Sequence, residues 1–139
     1  MACDEDGVVA LDVAEGQRND APLAKAVLIE ARDAVGTVRD VLGDKGFDSD
    51  AVRDVILDDL DALPVIPNRK NRKEPWPWDD EMREIYKQRN RVERAFAKAK
   101  QFRRFATRYE KLKDVYLGVA RLVFGFIHVR KLAETVNTA

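Results

Sequence analysis

The 139-residue chain contains one cysteine, Cys3, and one histidine, His128. A single cysteine excludes a disulfide or a cysteine-based metal site within one chain, and it fits a reducing compartment. His128 lies in an apolar stretch, which favours a packed or helix-end residue over a ligand or catalytic base. Neither residue therefore predicts the chemistry of this protein.

Long apolar runs are missing as well. None reaches about 18 residues, and the amino terminus lacks the basic and apolar regions of a signal peptide. We therefore expect no membrane partner and a cytoplasmic location. With 45% hydrophobic and 36% charged residues, the chain is predicted to form one globular domain over residues 1–139.

The net charge of zero hides an uneven distribution. Residues 1–66 hold 6 Lys/Arg against 16 Asp/Glu, a balance of −10, whereas residues 67–139 hold 19 against 9, a balance of +10. The positive half is the candidate surface for a polyanion. A basic face paired with the acidic half of the same domain explains the charges equally well.

Strand and helix signals alternate along the first half of the chain. Strands are predicted at 8–13, 38–42 and 63–67, and helices at 19 or 20 to 34 and at 49 or 50 to 60. A strongly apolar helix is predicted at 115–132. The alternation indicates an α/β fold with some parallel strand pairing.

Residues 68–78 form a basic loop that also contains tryptophan and proline. Its cations are Arg69, Lys70, Arg72 and Lys73. They are candidates for phosphate contacts along DNA, with the tryptophans stacking on bases. Trp76 and Trp78 are equally candidates for anchors that pack the loop onto the domain.

Residues 79–105 are predicted to form one central helix. Its apolar stripe consists of Met82, Ile85, Val92, Phe96 and Ala99. Arg89, Glu93 and Lys100 fall on a neighbouring stripe at about 100° per residue. These charges alone are also typical of an exposed helix with weak surface ion pairs.

Tyr86, Arg89, Glu93 and Lys100 are separated by two, three and six residues. This spacing matches the Y-(2)-R-(3)-E-(6)-K signature of bacterial insertion-sequence transposases with a DDE active site. Segments 15–20, 43–49, 65–67 and 100–109 are similar to the same family. Over about residues 7–132, the chain resembles the C-terminal catalytic region of transposases of the insertion sequence five group.

The resemblance implies a ribonuclease H-like fold that is incomplete at the N-terminus, with one or more opening strands missing and with C-terminal helices. It implies that Asp44 and Glu93 are the second and third acidic residues of the catalytic triad and ligands of Mg²⁺ or Mn²⁺. Tyr86, Arg89 and Lys100 would surround Glu93 and contact transposon-end DNA. Considered alone, Asp44 is also explained as a turn aspartate that accepts local hydrogen bonds.

The family's first acidic residue lies on the opening strand, upstream of the segment that residues 8–13 resemble. The nearby acidic residues, Asp4, Glu5, Asp6 and Asp12, are poor substitutes, because they fall in a turn or in a different strand. A DDE site uses two divalent ions about 3.5–4 Å apart, so we expect weak metal binding and little cleavage by this chain alone. Its status as an enzyme stays open.

Three functional classes follow from these observations. The first is a DDE transposase portion whose partners are transposon-end DNA and another transposase subunit or the product of an upstream reading frame. The second is a non-catalytic DNA-binding or regulatory fragment of a transposase. The third is a structural remnant.

Overall fold

The computed structural model describes residues 1–4, 8–12, 21–107 and 112–138. Its strands are β1 (Ala2–Cys3), β2 (Val8–Ala10), β3 (Asp40–Leu42) and β4 (Leu63–Val65). Its helices are α1 (Ala21–Val35), α2 (Asp50–Asp54), α3 (Asp80–Tyr86), α4 (Asn90–Ala99), α5 (Arg103–Ala106) and α6 (Lys113–Thr138). The chain is therefore a mixed α/β protein, as the alternating signals predict.

The strands form two separate two-stranded sheets. β1 pairs antiparallel with β2, and β3 pairs parallel with β4, with Asp40 opposite Leu63 and Leu42 opposite Val65. The expectation of parallel pairing is thus confirmed. Sequence analysis did not predict β1, because two residues are too few to show the alternation that marks a strand.

Local capping signals set the ends of α1 and α2. Gly36 adopts a positive φ of 85°, and its N–H donates to Arg32 O at 2.8 Å, which ends α1. Ser49 Oγ accepts the Val52 N–H at 3.3 Å and begins α2, which continues as a π-helical turn over Val55–Asp59. Residues 19 and 20, where this helix was predicted to begin, lie outside the described residues.

The prediction of one helix over 79–105 is wrong. Asp79 caps α3, accepting the Met82 N–H at 2.8 Å, so the predicted start of the helix is confirmed. A 3₁₀ turn then spans Lys87–Arg89, α4 ends at Ala99, and the backbone of Phe102 is extended before α5. This bend brings Phe105 back into the core at 5% exposure, and the burial of an aromatic ring outweighs helix propensity.

Three clusters of buried residues make up the core. Helices α4, α5 and α6 contribute Ala99, Phe105, Ala120, Val123 and Phe124, which pack with Leu11. A second cluster comprises Val52, Ile56, Leu60, Ala62 and Ile66, and a third comprises Ala10, Val27 and Ala31. Within the described ranges, no helix is both long enough and apolar enough to cross a membrane.

A cleft of about 1240 Å³ lies between the two sheets, and we call it the central cleft. It is lined by Met1, Ala2, Cys3 and Asp4 on one side and by all residues from Thr37 to Asp44 on the other. Side chains of α1 and α4 also line it, including Val27, Ala31, Val92 and Phe96. Part of the apolar stripe predicted to face a core therefore faces this cleft.

Candidate functional site

Asp44 lies in the turn that follows β3, at the rim of the central cleft. Its Oδ1 accepts the Gly46 N–H at 2.7 Å, so it makes the local hydrogen bond of a turn aspartate. A Cβ at Gly46 would approach Asp44 Oδ1 to 2.8 Å, and glycine therefore keeps this turn tight. The other oxygen, Oδ2, faces Arg89, and half of the side chain stays exposed.

Glu93 lies in the first turn of α4 and also lines the central cleft. Its Oε1 accepts a hydrogen bond from Arg89 Nη1 at 2.8 Å. The two residues are one helical turn apart, as the predicted spacing requires. The Glu93 side chain is 63% exposed, so its carboxylate is open to a ligand entering from solvent.

The guanidinium of Arg89 contacts both carboxylates. Nη1 bonds to Glu93, and Nη2 lies 3.9 Å from Asp44 Oδ2. Asp44 Oδ2 and Glu93 Oε1 are therefore no farther apart than these two contacts plus the distance between the two guanidinium nitrogens. Both carboxylates are thus close enough to face one ligand.

Tyr86 completes this cluster on the α3 side. The Arg89 guanidinium lies 5.9 Å from the Tyr86 ring centroid, and Trp78 meets the ring edge-on at 5.5 Å. Partial burial raises the pKa of Tyr86, while the positive charge of Arg89 acts in the opposite direction. The structure thus brings together three of the four signature residues.

Lys100, the fourth, lies apart from the others. It follows the last residue of α4, is exposed, and is absent from the lining of the central cleft. Lys100 follows Arg89 by eleven residues, and the backbone between them is mostly helical. This separation corresponds to about 16 Å along a helix axis. Lys100 therefore lies about three helical turns from Arg89 and outside the cluster of the two carboxylates.

The basic loop is held onto the domain by a buried carboxylate, Asp48. Its Oδ1 accepts hydrogen bonds from Arg53 and Arg72 at 2.9 Å, and its Oδ2 accepts the Arg69 N–H at 2.6 Å. The Arg69 side chain donates to the carbonyls of Lys45 and Gly46 at 2.9 and 2.6 Å. Both loop arginines predicted to bind DNA thus make contacts within the protein.

Lys70 and Lys73 are exposed at the surface of the loop, as is Arg69, whereas Arg72 is partly buried. Sequence reasoning missed Asp48, since no spacing signal relates one carboxylate to arginines in a distant loop. Asp48 has a structural role. Burial alone would raise the pKa of Asp48, but hydrogen bonds from the Arg69 N–H and from Arg53, together with the nearby positive charges, bring its pKa below the ordinary value.

The tryptophans of the loop also contact the domain. Asn68 closes the loop with two hydrogen bonds to the Trp76 backbone, at 2.8 and 2.9 Å. The Arg53 guanidinium lies 5.0 Å from the Trp76 ring, and Trp78 packs on Tyr86. The sequence left two roles open for these tryptophans, stacking on bases and packing the loop onto the domain. The structure shows the packing role.

The described residues do not form a complete site for a metal ion. Among them, no three His, Cys, Asp or Glu side chains converge as ligands would. Asp4 and Asp12 line the same cleft, but Asp12 pairs with Lys113 at 3.3 Å. Asp44 and Glu93 offer the oxygen ligands that Mg²⁺ prefers, yet both already pair with Arg89, so these two carboxylates alone do not fit a pair of ions.

Comparison with known proteins gives two matches. The family model described as a transposase DDE domain matches residues 1–124. A protein of Brucella ovis, provisionally named transposase for insertion sequence element IS6501, is 30% identical over 115 residues, which cover 83% of each chain. No solved structure shows a significant match.

Proposed function

Because this chain belongs to the DDE transposases of insertion sequences, we propose that Asp44 and Glu93 are two acidic residues of its catalytic site. The domain is proposed to be ribonuclease H-like, of the insertion sequence five group, and to serve DNA transposition. One observation carries the proposal: Arg89 contacts both carboxylates, although they lie far apart in the sequence.

The reaction proposed for the complete site is cleavage of phosphodiester bonds and strand transfer at transposon ends, with Mg²⁺ or Mn²⁺. In such a site two divalent ions stabilise the attacking and the leaving oxygen. The described residues supply two carboxylates and one cation that pairs with both, so we propose that this chain binds DNA but does not cleave it alone. A third carboxylate has to be supplied from outside the described residues.

The strand edges at the central cleft support a position there for that third carboxylate. Within the described residues, β1 is paired only with β2, and β3 only with β4. Consecutive residues of β1 and β3 line the cleft, whereas only Val9, the middle residue of β2, does so. Successive side chains of a strand point to opposite faces of its sheet. A strand that turns one face to a cleft therefore lines it with every second residue, whereas a strand that turns its backbone edge to the cleft lines it with consecutive residues. Both edges can therefore accept a further strand.

The proposed strand would lie beside Asp44 and between apolar surfaces. Val27 and Ala31 of α1 and Val92 and Phe96 of α4 line the cleft around it. Strands covered on both faces are mostly apolar, as in parallel sheets. We therefore propose that one apolar strand carrying an aspartate, supplied by an upstream segment or by another transposase subunit, completes the sheet and the site.

The test compares the chain alone with the chain fused to the opening strands of a complete relative. Duplexes with the ends of the insertion sequence are incubated with Mg²⁺ or Mn²⁺, and nicked and joined strands are counted. We expect no product from the chain alone and product from the fusion. In the fusion, Asp44→Asn and Glu93→Gln should each abolish product while DNA binding is kept, because each removes ligand charge but almost no volume.

Asp58→Asn in the fusion is the matched control, because Asp58 is exposed and lies outside the lining of the central cleft. It should leave the amount of product unchanged. Cleavage by the chain alone that survives Asp44→Asn would disprove the proposed site. A fusion that folds and binds DNA but gives no product would disprove the proposed strand.

A non-catalytic DNA-binding or regulatory fragment is the second candidate. The +10 balance of residues 67–139 and the exposed Lys70, Lys73 and Lys100 favour it. A regulatory fragment should inhibit an intact transposase in proportion to its concentration. If added chain leaves the rate of the intact enzyme unchanged while both bind the same DNA, regulation is excluded.

A further inference from the structure

The 3₁₀ turn between α3 and α4 decides where the Arg89 side chain lies. Tyr86 is the last residue of α3, and the turn spans Lys87–Arg89. In an α-helix, side chains three residues apart are offset by about 60° around the axis, whereas in a 3₁₀ helix they eclipse. The Arg89 guanidinium accordingly lies over the Tyr86 ring, 5.9 Å from its centroid. The turn thus gives Arg89 an aromatic partner.

The two carboxylates restrain Arg89 only weakly. The Asp44 side chain is 50% exposed and that of Glu93 is 63% exposed, and Arg89 Nη2 is 3.9 Å from Asp44 Oδ2. Exposed ion pairs of long side chains contribute little, because holding two such side chains in one geometry costs conformational entropy. A planar guanidinium also stacks on aromatic faces. The Tyr86 ring is therefore a second restraint that keeps Arg89 beside both carboxylates.

Trp78 in turn restrains the Tyr86 ring. The two ring centroids are 5.5 Å apart at an interplanar angle of 75°, the edge-to-face arrangement that aromatic pairs prefer. Trp78 ends the basic loop and precedes Asp79, the cap of α3. The backbone just before it is held by the two hydrogen bonds between Asn68 and Trp76. A ring on a fixed stretch of backbone therefore limits the rotation of Tyr86.

We propose that Trp78 is a positioning residue: through the Tyr86 ring, it holds the Arg89 guanidinium beside Asp44 and Glu93. An aromatic contact and a cation–π contact connect the end of the basic loop with the two carboxylates. Loss of the Trp78 ring frees Tyr86, and Arg89 then loses a support that the exposed ion pairs do not replace. The effect on DNA cleavage rests on the proposed function, whereas the position of Arg89 does not.

The first test locates Arg89 in the 139-residue chain by NMR. Protons over the face of an aromatic ring resonate upfield, and the Tyr86→Leu variant gives the resonance of the Arg89 Cδ protons without the ring. In Trp78→Leu, this upfield shift should fall by roughly half or more, because the edge-to-face pair no longer orients Tyr86. Trp78→Phe keeps an aromatic edge and should retain most of the shift. Trp78 is half-buried and lies outside the three core clusters, so circular dichroism should show the same helix content in these variants.

Trp76→Leu is the matched control. Trp76 belongs to the same loop, but its ring packs on Arg53, whose guanidinium lies 5.0 Å from the ring centroid. Asn68 bonds to the backbone of Trp76, so the substitution leaves both of those hydrogen bonds in place. This variant should leave the Arg89 shift unchanged.

The second test uses the fusion described above and measures the rate of nicking at saturating DNA. Trp78→Leu should lower this rate about tenfold or more, since a small displacement of a positioning group strongly reduces turnover. The dissociation constant for DNA should stay within about threefold, because phosphate contacts of the lysines supply most of the affinity. In the Arg89→Gln background, Trp78→Leu should cause no further loss, as expected when one residue acts through another.

Three results would overturn the proposal. One is an Arg89 shift that does not differ between the wild-type chain and a folded Trp78→Leu variant. Another is an equal loss of the shift in Trp76→Leu, which would assign the effect to the loop as a whole. The third is a loss of rate by Trp78→Leu that is as large in the Arg89→Gln background as without it. A wild-type fusion that folds but gives no product would count against the proposed function alone, because the NMR comparison still decides what holds Arg89.

Discussion

Asp48 Oδ1 lies 2.9 Å from Arg53 Nη2, and the two side chains are closed to solvent, with 0% and 1% exposure. Arg53 Nη2 also donates to Ile66 O at 2.7 Å, at the end of β4. The same carboxylate holds Arg69 and Arg72 of the basic loop. One buried ion pair therefore connects α2, the parallel sheet and the loop that carries the candidate DNA contacts.

Asp48→Asn should lower the free energy of unfolding by about 3 kcal/mol or more, because it leaves the buried Arg53 charge without its partner. Urea denaturation measures the difference. Asp58→Asn, at an exposed position, should change stability by less than about 0.5 kcal/mol. Similar losses in both variants would contradict a special role for the buried pair.

The stability supplied by Asp48 should depend on pH. Its pKa in the folded chain is below the ordinary value of 3.8, because the hydrogen bonds and charges of the arginines outweigh the effect of burial. A lowered folded pKa means that the contribution is complete above the unfolded pKa and is lost as pH falls through the folded pKa. The stability difference between wild type and Asp48→Asn should therefore be constant near neutral pH and shrink below about pH 4. A difference that is unchanged down to pH 2 would refute this linkage.

DNA binding should depend on the loop lysines and on salt. Lys70 and Lys73 are exposed, whereas Arg69 and Arg72 make internal contacts. We expect weak, largely sequence-independent binding whose affinity falls steeply with salt, and the double change Lys70→Ala and Lys73→Ala should reduce the slope of log K against log salt by roughly 2. Gel shifts at several salt concentrations measure the slope.

Lys25→Ala is the control for that experiment, since it removes a lysine from the acidic half, where Lys25 pairs with Asp59 at 3.0 Å. It should leave the slope unchanged. Binding that is indifferent to salt would count against phosphate contacts as the source of affinity.

The ionisation of Tyr86 should report the position of Arg89. The positive charge of Arg89 favours the phenolate, so Arg89→Gln should raise the pKa of Tyr86 further above its ordinary value. The pKa of Tyr86 is measured by NMR titration of protein in which tyrosine is labelled at the ring carbon that bears the hydroxyl. Arg94→Gln, which changes a residue bonded to Asn90 on the same helix, should have little effect. An unchanged Tyr86 pKa in Arg89→Gln would show that the guanidinium does not stay over the ring in solution.

Short-range chemistry in the sequence determined several features of this protein. The caps at Ser49 and Asp79, the end of α1 at Gly36 and the pairing of Arg89 with Glu93 one turn away depend on neighbours within about four residues. The spacing of Tyr86, Arg89, Glu93 and Lys100 also indicated a DDE transposase of an insertion sequence, the level of classification that the comparisons confirm. Such interactions are predictable because the backbone geometry of a single turn places the partners together.

Only the tertiary structure decided which distant groups meet. It placed Asp44 beside the Arg89 guanidinium, paired Arg69 and Arg72 with Asp48 and its neighbours, and broke the central helix so that Phe105 reaches the core. Periodicity shows which side of a helix is apolar, but it does not show whether that side meets a core, a cleft or solvent. That outcome depends on how the elements pack, because burial is a property of all the surrounding residues together.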